Sequence, residues 1–197
     1  MSEHLGRRAE QYVESLPMGL KSHANCKTKG SILQTYVDCH PVAKSLLPAL
    51  QEVTGLDARD VLPNAWVQTV HVNLFELMIA DALDSDEAFL LAARRSNEKL
   101  LSTRTYRAIV FVASPAFLIR TATARWSHFH RGAPLVGRAS GNTARLTLGF
   151  PSHLHPPLIV REKANVFAVA VEAAGGRLTR LEVTAEPTEG RVDMEWE

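Results

Sequence analysis

Ala144-Arg145-Leu146-Thr147-Leu148-Gly149-Phe150 alternates apolar and polar residues, and side chains that alternate in this way stand on opposite faces of a β-strand. The same rhythm returns twice toward the C-terminus. Leu181, Val183 and Ala185 alternate with Arg180, Glu182 and Thr184, and Val192, Met194 and Trp196 alternate with Arg191, Asp193 and Glu195. Strands written like this are half-buried and antiparallel. Pro187-Thr188-Glu189-Gly190 supplies the turn of a hairpin between the last two. A further strand is expected over Leu135 to Arg138. A helix from Arg161 to Ala173, carrying Val166, Phe167, Val169 and Ala170 and stopped by Gly175-Gly176, is expected to cover the buried face.

Before Gly132 the spacing of apolar residues is helical instead. Residues 3 to 15 place Leu5, Ala9, Tyr12 and Val13 on one side, and Pro17 and Gly19 end that helix. Residues 17 to 29 read as a loop. Ser31 is the expected N-cap of a short helix to Cys39, and Pro41 opens another that runs toward Gly55, with Pro48 as its kink or its true start. The strongest helical run is Trp66 to Leu83, with Val67, Val70, His71, Leu74, Leu77 and Met78 on one face. Ser85 caps a helix over 86 to 101, and further helices are expected over 103 to 113 and 115 to 130. The fold class is therefore α+β, a helical N-terminal layer packed on a small four-stranded antiparallel sheet with one covering helix. The expected divisions are an extension over 1–28, a helical subdomain over 29–131 and a sheet subdomain over 132–197.

The 197 residues are 46% hydrophobic and 22% charged, with 22 Lys and Arg against 21 Asp and Glu. A net charge of +1 creates no global field toward nucleic acid or an anionic membrane. Met1 to Glu14 lacks the apolar core of a secretory leader, and no stretch approaches the roughly 20 apolar residues of a membrane span. A cytoplasmic location is expected, where Cys26 and Cys39 stay thiols. The Gly-rich phosphate loops and the Gly-x-Ser-x-Gly nucleophile elbow are absent.

The order of elements resembles the heme nitric-oxide-binding superfamily and its vinyl-reductase-type relatives, including myxobacterial paralogues that lack the heme ligand. Four places carry the resemblance over Lys29 to Glu197: Lys29-Gly30-Ser31-Ile32-Leu33 at the opening, Gly55-Leu56-Asp57 after the first helix pair, the passage from helix 115–130 into Gly132-Ala133-Pro134, and the final strand, helix and hairpin. The resemblance implies a sensory or signalling domain. It also implies a heme held by an axial His on the helix before the sheet and by a Tyr-x-Ser-x-Arg clamp on the propionates. Here Thr123 falls about where that His would stand. Phe150-Pro151-Ser152-His153-Leu154 keeps the Ser but neither the phenol nor the cation. The resemblance thus extends to the pocket but not to the heme.

Of the eight histidines, four form the pairs His128/His130 and His153/His155. On a strand such a pair shares a face and can chelate a metal. At a helix end, His128 and His130 are expected to cap the C-terminus instead. His153 and His155 fit a solvated turn, since no Asp, Glu or Cys nearby completes a ligand set. His71 reads as a core imidazole with a backbone partner. Asp81, Asp84, Asp86 and Glu87 read as a solvated junction between helices.

The first reading is a non-enzymatic sensory or regulatory module that has no cofactor and binds a small apolar or amphipathic ligand, or a protein partner. Trp126, His130, Phe150, Ser152 and His153 are expected to converge at the mouth of its cavity. Nucleic acid and membranes are excluded as partners, and a homodimer stays open. The alternatives are a metal-dependent enzyme using the His-x-His pairs, and an interaction scaffold whose cavity is filled by its own side chains.

Overall fold

A computed structural model describes residues 5–101 and 114–197; the expected helix over 103 to 113 lies outside the described residues. The described elements run α1 (Arg7–Ser15), β1 (Lys27–Lys29), α2 (Gly30–Cys39), α3 (Ala43–Thr54), β2 (Trp66–Gln68), α4 (Thr69–Ala82), α5 (Asp86–Leu101), α6 (Pro115–Trp126), β3 (His130–Arg131), β4 (Leu135–Ser140), β5 (Thr143–Gly149), α7 (Pro157–Ala173), β6 (Leu178–Ala185) and β7 (Glu189–Trp196). The architecture is α+β, and no described helix is long and apolar enough to cross a membrane.

The alternating segments form one antiparallel sheet in the order β4-β5-β7-β6, with Leu146 opposite Val192 on the covered face. Helix α7 lies over that face. Gly190 permits the approach, because a Cβ there would stand 2.7 Å from Val160 Cγ1. Leu181, expected to be half-buried, is exposed, since β6 is an edge strand whose register shifts between Leu178 and Arg180. Helix α7 begins at Pro157 rather than Arg161: Pro156 is its N-cap and Pro157 its first residue, where a missing N–H costs nothing.

A second, three-stranded sheet was not visible in the periodicity. Its order is β2-β1-β3, antiparallel throughout, and its strands are very short. It revises three expectations. Residues 17–29 are a 3₁₀ turn and a strand rather than a loop. The run from Trp66 opens as β2 before α4 begins at Thr69. Helix α6 stops at Trp126, and His130 belongs to β3, paired with Thr28. Ser31 does not cap α2; the first amides of that helix, on Gly30 and Ser31, donate to the carbonyls of Ala65 and Pro63 at 2.9 Å.

Helix α4 is the central post, buried almost all round, with Val70, Leu74, Phe75 and Ile79 fully enclosed. Helix α1 packs along it. The N-cap of α1 is Gly6, which has no side chain to satisfy the first amides, and Asp81 of α4 supplies the acceptors: Oδ1 from Arg8 N and Oδ2 from Ala9 N, both at 3.0 Å. Asp81 is therefore not on a solvated junction, and a Cβ on Gly6 would collide with it at 2.5 Å.

Candidate functional site

Between α2, α5, α6, β3 and α7 lies a cavity of about 180 Å³. Ile32, Ala93, Trp126, Phe129 and Val166 make its wall mainly apolar. Trp126 reaches it because the inward face of α6 is Leu118, Ile119, Ala122 and Trp126. The indole N–H donates to Ala133 O at 2.7 Å, which fixes the ring, and His130 stacks on it with centroids 3.8 Å apart. Phe167 of α7 also packs against the indole, tilted, with centroids 6.0 Å apart.

The polar end of the cavity is a cluster of buried charges. Lys163 Nζ lies 3.0 Å from Glu76 Oε1 and 2.8 Å from Glu162 Oε2, all three side chains almost without exposed surface. The bond to Glu76 is a true hydrogen bond, whereas Glu162 Oε2 is an ion-pair contact that lacks hydrogen-bonding alignment. Burial pushes the Glu76 carboxyl up to about 7, Lys163 opposing the rise and Glu162 adding to it. Burial works against the charge on Lys163 too, but Glu162 and Glu76 outweigh it and hold the ammonium above its ordinary range. The Tyr36 phenol is pushed well above its usual value by burial and by the same two carboxylates. Taking ions out of water costs several kcal/mol each, so Lys163 keeps its charge only beside the two carboxylates, and Glu76 is poised to take up a proton near neutral pH.

Two buried imidazoles flank the cluster. Burial, together with Lys163 and His155, holds His130 well below its ordinary value. Its Nδ1 lies 3.4 Å from Thr28 Oγ1, which in turn meets Thr69 Oγ1 at 3.0 Å. Burial and Lys163 bring His155 down to about 3. The amide nitrogen of Asn73 lies 3.1 Å from His155 Nδ1 and 2.6 Å from Leu154 O, and Tyr12 donates to Leu154 O at 2.9 Å. An amide nitrogen only donates, so Nδ1 accepts and the proton sits on Nε2, which is buried without a partner.

The five residues expected at one mouth divide between places. Trp126 and His130 line the cavity. Phe150 is buried beneath the sheet and meets His155 edge to face, centroids 4.9 Å apart. Ser152 is bound through its carbonyl, which lies 3.0 Å from His23 Nε2. His153 is exposed, in a left-handed backbone conformation with φ 62, and lines a separate open cleft of about 720 Å³ beside Arg7, Tyr12 and Glu87. The cause is the loop between β5 and α7, which turns Leu154 and His155 inward and His153 out.

Neither His-x-His pair offers a common face. His128 is exposed where His130 is buried, and His153 is exposed where His155 is buried. Among the described residues no three His, Cys, Asp or Glu side chains are grouped as metal ligands. His71 is half-exposed; burial lowers its pKa and the Leu20 backbone opposes the shift. Glu76, Glu162 and Lys163 were not read as site residues. A signal existed for Glu76, a charge set between Phe75 and Leu77 in the otherwise apolar run from Leu74 to Ala80, because such a residue must find a partner.

No family model and no curated protein matches the sequence. Solved structures do. An oxygen-binding H-NOX domain related to soluble guanylate cyclases superposes with a TM-score of 0.60 at 8% identity, covering 86% of this chain and 95% of that one. An H-NOX variant from T. tengcongensis gives 0.56 at 9% identity, covering 86% and 97%. A Cs H-NOX variant carrying 4-cyano-L-phenylalanine gives 0.57 at 9%, covering 86% and 96%. H-NOX denotes heme nitric oxide/oxygen binding. The chain has an H-NOX-like fold, and identities this low establish the fold alone.

Proposed function

We propose that the protein is a sensory or regulatory module on the H-NOX-like fold that binds a small, mainly apolar ligand in the cavity beside Trp126 and His130, and that it does so without heme. The observation that carries the reading is the cavity itself. It is concave, apolar over most of its wall and polar at one end, the usual composition of a small-molecule site. A scaffold whose side chains filled the interior would leave no such space.

Several features support the absence of heme. At about 180 Å³ the cavity is smaller than the roughly 300 Å³ at which pockets for drug-sized ligands begin. The inward face of α6 carries Leu118, Ile119, Ala122 and Trp126, with no imidazole among them. Thr123, at the aligned position, is exposed and its hydroxyl accepts from Gly137 N at 3.2 Å. His130 is pinned face to face on Trp126, which leaves no room for a macrocycle between them.

The test is absorption spectroscopy and native mass spectrometry on the purified full chain. The expected result is no stoichiometric Soret band and a copurifying small molecule. A stoichiometric, sharp Soret band that is lost when His130 or His155 is replaced by Gln overturns the reading.

A further inference from the structure

The charges around the cavity do not balance. Lys163 donates to Glu76 Oε1 at 3.0 Å and leans toward Oε2 at 3.4 Å. Glu162 shares the same ammonium at 2.8 Å and lies beside the Tyr36 phenol, and its buried Oε2 makes no aligned hydrogen bond. Two carboxylates share one ammonium, and His130, His155 and His40, whose pKa values burial lowers, add no positive charge at neutral pH. Glu162 lines the cavity together with Tyr36, Trp126 and Phe129. A surplus buried carboxylate beside aromatic rings is the environment that favours an organic cation. A dry cavity of about 150 Å³ takes a benzene ring, so about 180 Å³ takes such a ring with a short substituent. Asn97 Nδ2, also buried on this wall without a partner among the described residues, is free to meet an oxygen on the same ligand.

We infer that the cavity selects a small organic ammonium ion, an amine on an apolar body about the size of a benzene ring, with Glu162 as its counter-ion. The inference rests on the cavity being the ligand site. Glu76 faces Lys163 and Glu162 from α7 and Tyr36 from α2, and with the cavity empty it takes up the proton that offsets the surplus charge. A bound ammonium replaces that proton, so amine affinity rises between pH 6 and pH 8.

Calorimetric titration of the full chain with benzylamine, benzyl alcohol and benzoate separates charge from shape. Benzylamine is expected to bind about tenfold more tightly than benzyl alcohol, a step typical of one charge-assisted hydrogen bond, and benzoate not at all. Glu162→Gln removes the preference for the amine and leaves benzyl alcohol binding unchanged. Val166→Trp fills the space and removes both. Equal binding of benzylamine and benzyl alcohol, binding of benzoate, or an amine preference that survives Glu162→Gln overturns the inference while the cavity remains a ligand site. Failure of every probe, with Val166→Trp without effect on the copurifying molecule, overturns both readings. If Glu162→Gln does not fold, the ranking of the three probes on the native chain decides.

Discussion

On the outer face of the four-stranded sheet Arg145 meets Asp193 at 2.6 Å, and Arg180 meets Glu182 and Glu195 at 2.7 and 2.9 Å, with these side chains largely open to water. At the junction of α2, α4 and α7, Lys163 meets Glu162 and Glu76 at nearly the same distances with almost no exposure. The distances are alike and the energetics are not. Water screens the first set, so each pair gains little beyond what solvent already gave it. The second set has lost its water, and each ion depends on the others. The difference teaches that an ion pair's importance follows from its surroundings rather than its length.

The sharpest way to break this comparison is to remove the buried cation. Lys163→Ala leaves two carboxylates facing each other, and a loss of about 3–5 kcal/mol in urea unfolding is expected. Replacing Lys163 by Met together with Glu76 and Glu162 by Gln should recover most of it, because the charge has gone with its partner. A small loss in the single variant would mean that water reaches the junction.

Acid is a milder probe of the same region. His130 and His155 have depressed folded values, so their contribution is present above about 6.5 and is lost as pH falls toward the folded value, about 3 for His155. Glu76 runs the other way. Its raised value of about 7 favours the fold below its ordinary carboxyl range, and that benefit disappears as pH rises through about 7. Between about pH 6.5 and 4.5 two losses oppose one gain, giving a net fall of about 1.4 kcal/mol per pH unit at most. Urea midpoints at pH 7 and pH 5 measure it, and His155→Asn should flatten the curve. A flat profile in the unmodified chain would contradict the burial of both imidazoles.

The smallest effect belongs to the sheet. Arg180→Ala should change stability by less than about 0.5 kcal/mol, and by less still in high salt. A larger loss would place those pairs in a cooperative network.

Legibility follows the same division. The strands at Ala144–Phe150, Leu181–Ala185 and Val192–Trp196 were readable because each side chain's face is set by its immediate neighbours. The cap Ser85 was readable for the same reason, and it accepts the amide of Ala88 three residues on. The three-stranded sheet was not. Its strands are too short to show alternation, and their partners Lys27–Lys29, Trp66–Gln68 and His130–Arg131 are far apart in the chain. Asp81 was likewise misjudged as part of a solvated junction, because its role as the cap of α1 depends on a helix more than seventy residues away. Of the five residues expected at one mouth, Trp126 and His130 line the same cavity wall, while Phe150, Ser152 and His153 lie elsewhere, on a loop with one left-handed residue.

By itself the sequence determined the α+β class, the four-stranded sheet with its covering helix and most helix boundaries, because periodicity and capping are local interactions. Tertiary structure alone decided which charges are buried and which imidazoles stay neutral. It also decided where the cavity lies, since Glu76, Glu162 and Lys163 acquire their character only when α4 and α7 close over them and exclude water.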